Sequence, residues 1–173
     1  MEVLKAIKER RSVREFEPGP VAGDVVDKLI EALIWAPSAG NLQSRKFYFV
    51  SSPGIKKELS DAALGQGFVA SAPLVVVACA DLRIRDRYGA RGAGLYAIQD
   101  ASASVMCMML EALELGLGTV WVGAFREEAV SKALQLPDHL RPVALVPVGY
   151  PVRAPRRPPA RASKSEAVTF IGP

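Results

Sequence analysis

Apolar residues recur along this chain with two different periods, and each period predicts its own element. Val25, Val26, Leu29, Ile30, Leu33 and Ile34 follow the helical period, Asp24 before them is a residue type that caps helices, and Pro37 stops the run. Val3, Leu4 and Ile7 show the same spacing with charges between them, which predicts a short helix over residues 2–11. Further helices are expected over about 53–64 and over 127–136. Lys46–Val50, Leu74–Cys79, Thr119–Val122 and Val143–Val148 are short apolar runs of strand length. Ala167–Ile171 also has strand character, yet no obvious neighbour for it exists within the chain.

The longest helical candidate, about 95–115, is apolar on nearly every side, through Ala101, Ala103, Val105, Met106, Met108 and Met109. Such a helix must be covered all round, by its own domain or by a partner subunit. Gly116 and Gly118 end it. Helices and strands alternate, but the helix-rich opening and isolated last strand do not suit a regular doubly wound sheet. The pattern predicts an α+β sandwich, a small sheet covered by helices.

Composition narrows the picture. Residues 1–173 suffice for one domain with a sizeable core, and half of them are apolar. The net charge of +4 is modest but uneven. Residues 151–173 form a basic, proline-rich arm: from Arg153 to Lys164 there are four Arg, one Lys and no acid. Such a stretch is an extended, solvated segment or an arm that brings cations to an anion site. Cys79 and Cys107 stand in apolar surroundings without metal or redox spacing, so both read as buried small hydrophobes. The first residues lack the apolar core of a secretory signal, and no apolar run is long enough to cross a bilayer. A soluble, cytoplasmic protein is expected.

One cluster stands out chemically. Arg10-Arg11-Ser12-Val13-Arg14 sets three guanidinium groups and a hydroxyl within five residues. Guanidinium forks match phosphate oxygens in pairs and stay charged at any working pH. Two readings stand here: a phosphate site on a small ligand, or a charged helix end favoured by the helix dipole. Pro37-Ser38-Ala39-Gly40-Asn41-Leu42-Gln43 combines small residues, which admit a planar ligand to the backbone, with two amide side chains. Gly123 and Ala124 would expose backbone N–H groups at a strand end. Ordinary loops explain both stretches equally well in isolation.

Several chemistries are excluded. The single histidine, His139, has no serine elbow or cysteine to serve, and nothing has metal-ligand spacing. Gly89-Ala90-Arg91-Gly92-Ala93-Gly94 imitates a dinucleotide loop but follows a charged stretch instead of a strand, so it reads as a flexible lead-in to the long helix. Positive charge in two short stretches without a recognition motif argues against nucleic acid.

Taken together, RRSVREF, APSAGNLQ with its aromatic strand, APLVVVACAD, LYAIQDASAS, GLGTVWVGAF and PVGYP resemble, in the same order, the nitroreductase family of FMN-dependent oxidoreductases. The resemblance covers nearly the whole chain. It implies an α+β sandwich with a small mixed sheet, an intertwined homodimer, and FMN at the subunit interface. Arg10, Arg11, Ser12 and Arg14 would then meet the FMN phosphate, ribityl chain and pyrimidine edge. Pro37, Ser38, Ala39 and Asn41 would reach the same flavin from the other subunit, and Gly123 and Ala124 would lie near flavin N5. Gln66 would touch the ring, and Arg161, with Lys164 as a second candidate, would close over the phosphate. The terminal strand would pair with the partner's sheet.

The implied activity is a ping-pong cycle in which NADH or NADPH donates hydride and a nitroaromatic, quinone or similar small acceptor is reduced. The flavin carries the chemistry, so no catalytic side chain is implied. An FMN-binding carrier or sensor without turnover would use the same residues. The chain is short, with no long insertion between Asp81 and Leu95 where larger members build substrate lids.

Overall fold

A computed structural model describes residues 2–153 and 159–172; the part of the predicted basic arm at 154–158 lies outside them. Strand β2 (Leu74–Asp81) is apolar at nearly every position because both of its faces are covered. It pairs antiparallel with β1 (Arg45–Val50) on one side and with β4 (Leu140–Gly149) on the other. Two-residue β3 (Gly118–Thr119) closes the far edge, giving the order β1-β2-β4-β3. The three ladders are antiparallel, and one parallel bridge joins Ser12 to Thr119. The β2–β4 register slips at Ala78/Cys79, opposite Pro142, which has no N–H to give the ladder.

Alternation along β2 divides the core. Val75, Val77 and Cys79 face one layer, packed with Leu59 of α3 (Pro53–Ala62), Val69 of α4 (Gly67–Ser71) and Val130 of α7 (Glu127–Leu134). Leu74, Val76 and Ala78 face the other, with Leu29 and Leu33 of α2 (Gly23–Trp35) and Val105, Met108 and Met109 of α6 (Ala97–Glu114). The result is a helix–sheet–helix sandwich, as the sequence pattern predicts.

Several details differ from expectation. Asp24 lies in the first turn of α2, where its charge suits the dipole, while Ala22 holds the cap position with no side-chain cap. The predicted 119–122 strand contracts to β3 and a single bridge from Val122 to Leu145. Residues 85–96 are not a loose lead-in: α5 (Arg85–Arg91), kinked at Tyr88–Gly89, and a π-turn (Gly92–Tyr96) run directly into α6. Cys79 is buried, but Cys107 is only partly covered. At the end of the chain, α8 (Lys164–Ala167) is a capped turn of helix, and the residues after it form no strand; Phe170 is 93% and Ile171 97% exposed. A strand requires a neighbour to take its backbone hydrogen bonds, and within one chain the terminal segment has none.

Helix α6 is buried on the side of Ala101, Val105, Met108 and Ala112, whereas Met106 on its other side is 39% exposed. Helix α1 (Val3–Glu9) packs beside α6 and leaves Val3, Leu4 and Ile7 open to solvent. The all-round cover that the sequence predicts for the long helix is therefore incomplete at Met106 in a single chain.

After α1 the backbone is stitched to the sheet edge: Val13 N–H donates to Thr119 O at 2.9 Å, and Glu17 N–H to Tyr150 O at 2.8 Å. Gly118 makes this approach possible, since a Cβ there would lie 2.7 Å from Val13 Cβ. Gly118→Ala is expected to lower stability by about 1–3 kcal/mol in chemical denaturation, because a β-branched neighbour cannot yield without moving the strand. Burial pushes the Cys79 thiol up to about 12. In alkylation at about pH 8 it is expected to stay unmodified until the protein is unfolded.

Candidate functional site

Arg10 occupies the position where α1 ends, with extended backbone (ψ 129°) that sends the following residues along β3. Its guanidinium is half-buried. Burial lowers its pKa first, and the charges of Arg11 and Arg161 lower it further. No carboxylate among the described residues pairs with Arg10, so this cation is held among like charges. Arg11 donates from Nη1 to Lys8 O at 2.6 Å and Arg10 O at 2.7 Å, which folds its side chain back on the end of α1. Arg10 and Arg11 wall a cavity of about 220 Å³ whose floor is Val13, Met109, Leu113 and Gly118. The solvated-helix-end reading accounts for one cation favoured by a dipole; it does not account for a half-buried guanidinium beside two others.

Ser12 is exposed beside the Thr119 bridge. Arg14 turns the other way, its Cζ 5.6 Å from the centre of the Phe68 ring on α4. Gln66, at the start of α4, donates from Nε2 to Ala63 O at 2.9 Å and to Ala124 O at 3.3 Å. That bond ties α4 to the exposed Gly123–Ala124 pair. Neither N–H of the pair donates to another described residue, and a Cβ on Gly123 would meet only Trp121 Nε1, at 3.9 Å. Both N–H groups are thus open to a ligand. Arg161 belongs to the same cluster through its effect on Arg10, while Lys164, in α8, shows no contact with it.

The loop at 37–41 lies elsewhere. Pro37 O accepts from Arg45 Nη1 at 3.2 Å, Ser38 Oγ accepts the Gln43 N–H at 3.0 Å, and Ala39 N–H donates to Asp100 Oδ1 at 2.9 Å. Asn41 is exposed, with a φ of 55° and no side-chain hydrogen bond to a described residue. Asp100 stands in the first turn of α6, whereas Met109 and Leu113, which floor the arginine cavity, are near its end. At 1.5 Å per residue the two groups are about 14–20 Å apart along the axis. One chain therefore brings the arginine run, Gln66, Gly123, Ala124 and Arg161 to one region, and sets Pro37, Ser38, Ala39 and Asn41 in another.

A larger cavity of about 660 Å³, lined in part by Arg45, Lys46, Arg83, Arg87 and His139, contains none of the predicted residues except the flank of the 37–43 loop. Its strongest cations are already engaged: Arg83 pairs with Asp81, and Arg45 donates to the end of α2. No group of acids, cysteines and histidine able to hold a metal occurs among the described residues, and no described helix is long and apolar enough to cross a membrane. Sequence reasoning missed Asp100 and Phe68. Neither stands in a pattern that points to a role, and only their partners, the 39–44 backbone and Arg14, reveal them.

Known proteins resemble this chain in sequence and in fold. The model of the Nitroreductase family matches residues 7–82 and 64–150. An NADH dehydrogenase of Thermus thermophilus is 33% identical over 87% of this chain and 87% of its own length. An FMN reductase [NAD(P)H] of Bacillus subtilis is 30% identical over 91% of this chain and 69% of its own. The solved structure of NfrA2 from B. megaterium superposes with a TM-score of 0.90 at 27% identity, covering 99% of this chain and 75% of that one. With motifs, sandwich and family model in agreement over nearly its whole length, the chain belongs to the nitroreductase family.

Proposed function

We propose that this chain is an FMN-dependent oxidoreductase that draws electrons from NADH or NADPH and reduces a small oxidised acceptor, such as a nitroaromatic or a quinone, in a ping-pong cycle. The half-buried Arg10 carries the reading: burial lowers its pKa, Arg11 and Arg161 lower it further, and no described acid pairs with it, which is the electrostatics of a site suited to a dianion. The donor set fits FMN. Arg10, Arg11 and Arg161 would hold the phosphate, with Ser12 beside them.

Arg14, set over Phe68, would face the pyrimidine edge and offset negative charge there. The open N–H groups of Gly123 and Ala124 would meet the ring, and Gln66 holds Ala124 in place for that contact. Bound FMN would supply the two-electron chemistry through its N5; the protein's share is binding, orientation and electrostatics. These roles require no side-chain acid or base. The FMN reductase name of the Bacillus subtilis relative supports the same cofactor.

A homodimer completes this reading. Pro37, Ser38, Ala39 and Asn41 stand too far along α6 to join the arginine run of their own chain, so a second copy would bring its loop across. The exposed Val3, Leu4 and Ile7 of α1 and Met106 of α6 supply apolar surface for that contact, and the exposed Phe170 and Ile171 would find their neighbour on the partner. Two free cysteines suit a reducing, cytoplasmic setting.

Purified protein is expected to bind FMN with a flavin absorbance band that NAD(P)H bleaches without oxygen. A preparation that cannot take up FMN would sink the proposal. Steady oxidation of NAD(P)H with a quinone should give parallel double-reciprocal lines; FMN retention without turnover would mark a carrier instead. Arg10→Ala and Arg14→Ala are each expected to weaken FMN binding about tenfold or more, from loss of a charge-assisted contact. Unchanged affinity in both would remove the arginine run from the site.

A further inference from the structure

Asp100 is 4% exposed, yet its carboxylate faces backbone and no side chain among the described residues hydrogen-bonds to it. Oδ1 accepts the N–H of Ala39 at 2.9 Å, and Oδ2 accepts the N–H of Ser44 at 3.3 Å. The two oxygens therefore clasp both ends of a six-residue loop. Inside the clasp the backbone is unusual: Gly40, Asn41 and Gln43 all lie in the left-handed region, with φ of 55°, 55° and 53°. Glycine adopts that conformation freely, but Asn41 and Gln43 do so at a cost that the surroundings must hold.

The surroundings supply several restraints besides Asp100. Ser38 Oγ accepts the Gln43 N–H at 3.0 Å. Arg45 reaches back to the carbonyls of Ile34, Ala36 and Pro37 at 3.0, 2.8 and 3.2 Å, and its charge interacts favourably with that of Asp100. Tyr88 lies against Gly40 so closely that a Cβ there would overlap its hydroxyl. A buried carboxylate is costly unless paired and hydrogen-bonded. Packing does not call for one here, since the buried neighbours of Asp100 on the same face of α6, Ala97 and Ser104, are small. Strained backbone that its surroundings over-determine is a recurrent property of ligand clamps.

We propose that Asp100 is a positioning residue: by fixing the N–H groups of Ala39 and Ser44 it presets the Ser38–Asn41 loop in the shape that engages FMN bound by the arginine run of the partner subunit. This rests on the function proposed above. Asp100 touches no cofactor itself; it acts through the loop, and it acts on the other subunit's site. Arg45 anchors the loop's leading edge through the carbonyls of Ile34, Ala36 and Pro37.

The test compares the full-length wild type with Asp100→Asn and Asp100→Ala in FMN titration, visible circular dichroism of the bound flavin, and thermal melting. The amide keeps one acceptor and sets an N–H₂ against the other backbone donor. Asp100→Asn is therefore expected to bind FMN about tenfold more weakly, and Asp100→Ala more weakly still, with altered visible dichroism in both. Variants that melt earlier but bind FMN with unchanged affinity and dichroism would overturn the proposal, leaving Asp100 a purely structural residue. Asp100→Asn, nearly isosteric, carries the test if the alanine variant does not fold. Failure of the wild type to bind FMN would instead refute the function itself.

A purified heterodimer with Arg10→Ala in one subunit and Asp100→Ala in the other retains one intact site if the loop acts across the interface. It is expected to hold about one FMN per dimer while each variant homodimer holds little. A heterodimer as empty as the homodimers would refute action in trans.

Discussion

The rigid length of α6 is the constraint on which the rest of this molecule depends. A helix of 18 residues advances about 27 Å and does not bend without a cause. Its buried side is half of the core beneath the sheet, through Val105, Met108 and Ala112. Its first turn holds the 37–44 loop through Asp100, and its last turns floor the cavity under Arg10 and Arg11. The two halves of the proposed site are therefore held apart by the element that makes the fold stable. In the homodimer proposed above a second molecule joins them, and the exposed Val3, Leu4 and Ile7 of α1 and Met106 of α6 supply apolar surface for that contact.

The proposed site is built from interactions that work against folding. Arg10 is partly withdrawn from water beside two cations, and Asn41 and Gln43 hold left-handed backbone. Each unfavourable term is met by local restraint: backbone bonds from Val13 and Glu17 to the sheet edge, and the Asp100, Ser38 and Arg45 contacts around the loop. A dianion would relieve the first strain and a planar ring would use the second. Stability comes from the sandwich, and the strain is confined to the places proposed to bind.

Much of the fold was legible in the sequence because its signals are local. The helical period of Val25 to Leu33 places α2, the unbroken apolar run at Leu74 to Cys79 places β2 in a doubly covered sheet, and the Gly116–Gly118 stop ends α6 where expected. The arginine run, too, stood out by residue type alone. Asp24 as a cap and the full 119–122 strand were not borne out, and the terminal segment, expected to pair with a partner, forms no strand within one chain. A strand is defined by its partner, and β3 has only two residues paired with β4.

The sequence by itself determined the periodicities, the charge clusters and the motif order, and through them the sandwich and the family. These are properties of residue type and spacing, which a chain carries before it folds. Only the tertiary structure decided that Arg10 lies among like charges while Arg14 turns to Phe68, and that Gln66 holds Ala124. It alone joined Asp100 to a loop some 60 residues away. Contacts between distant positions depend on where packing places each backbone, and no local pattern records that.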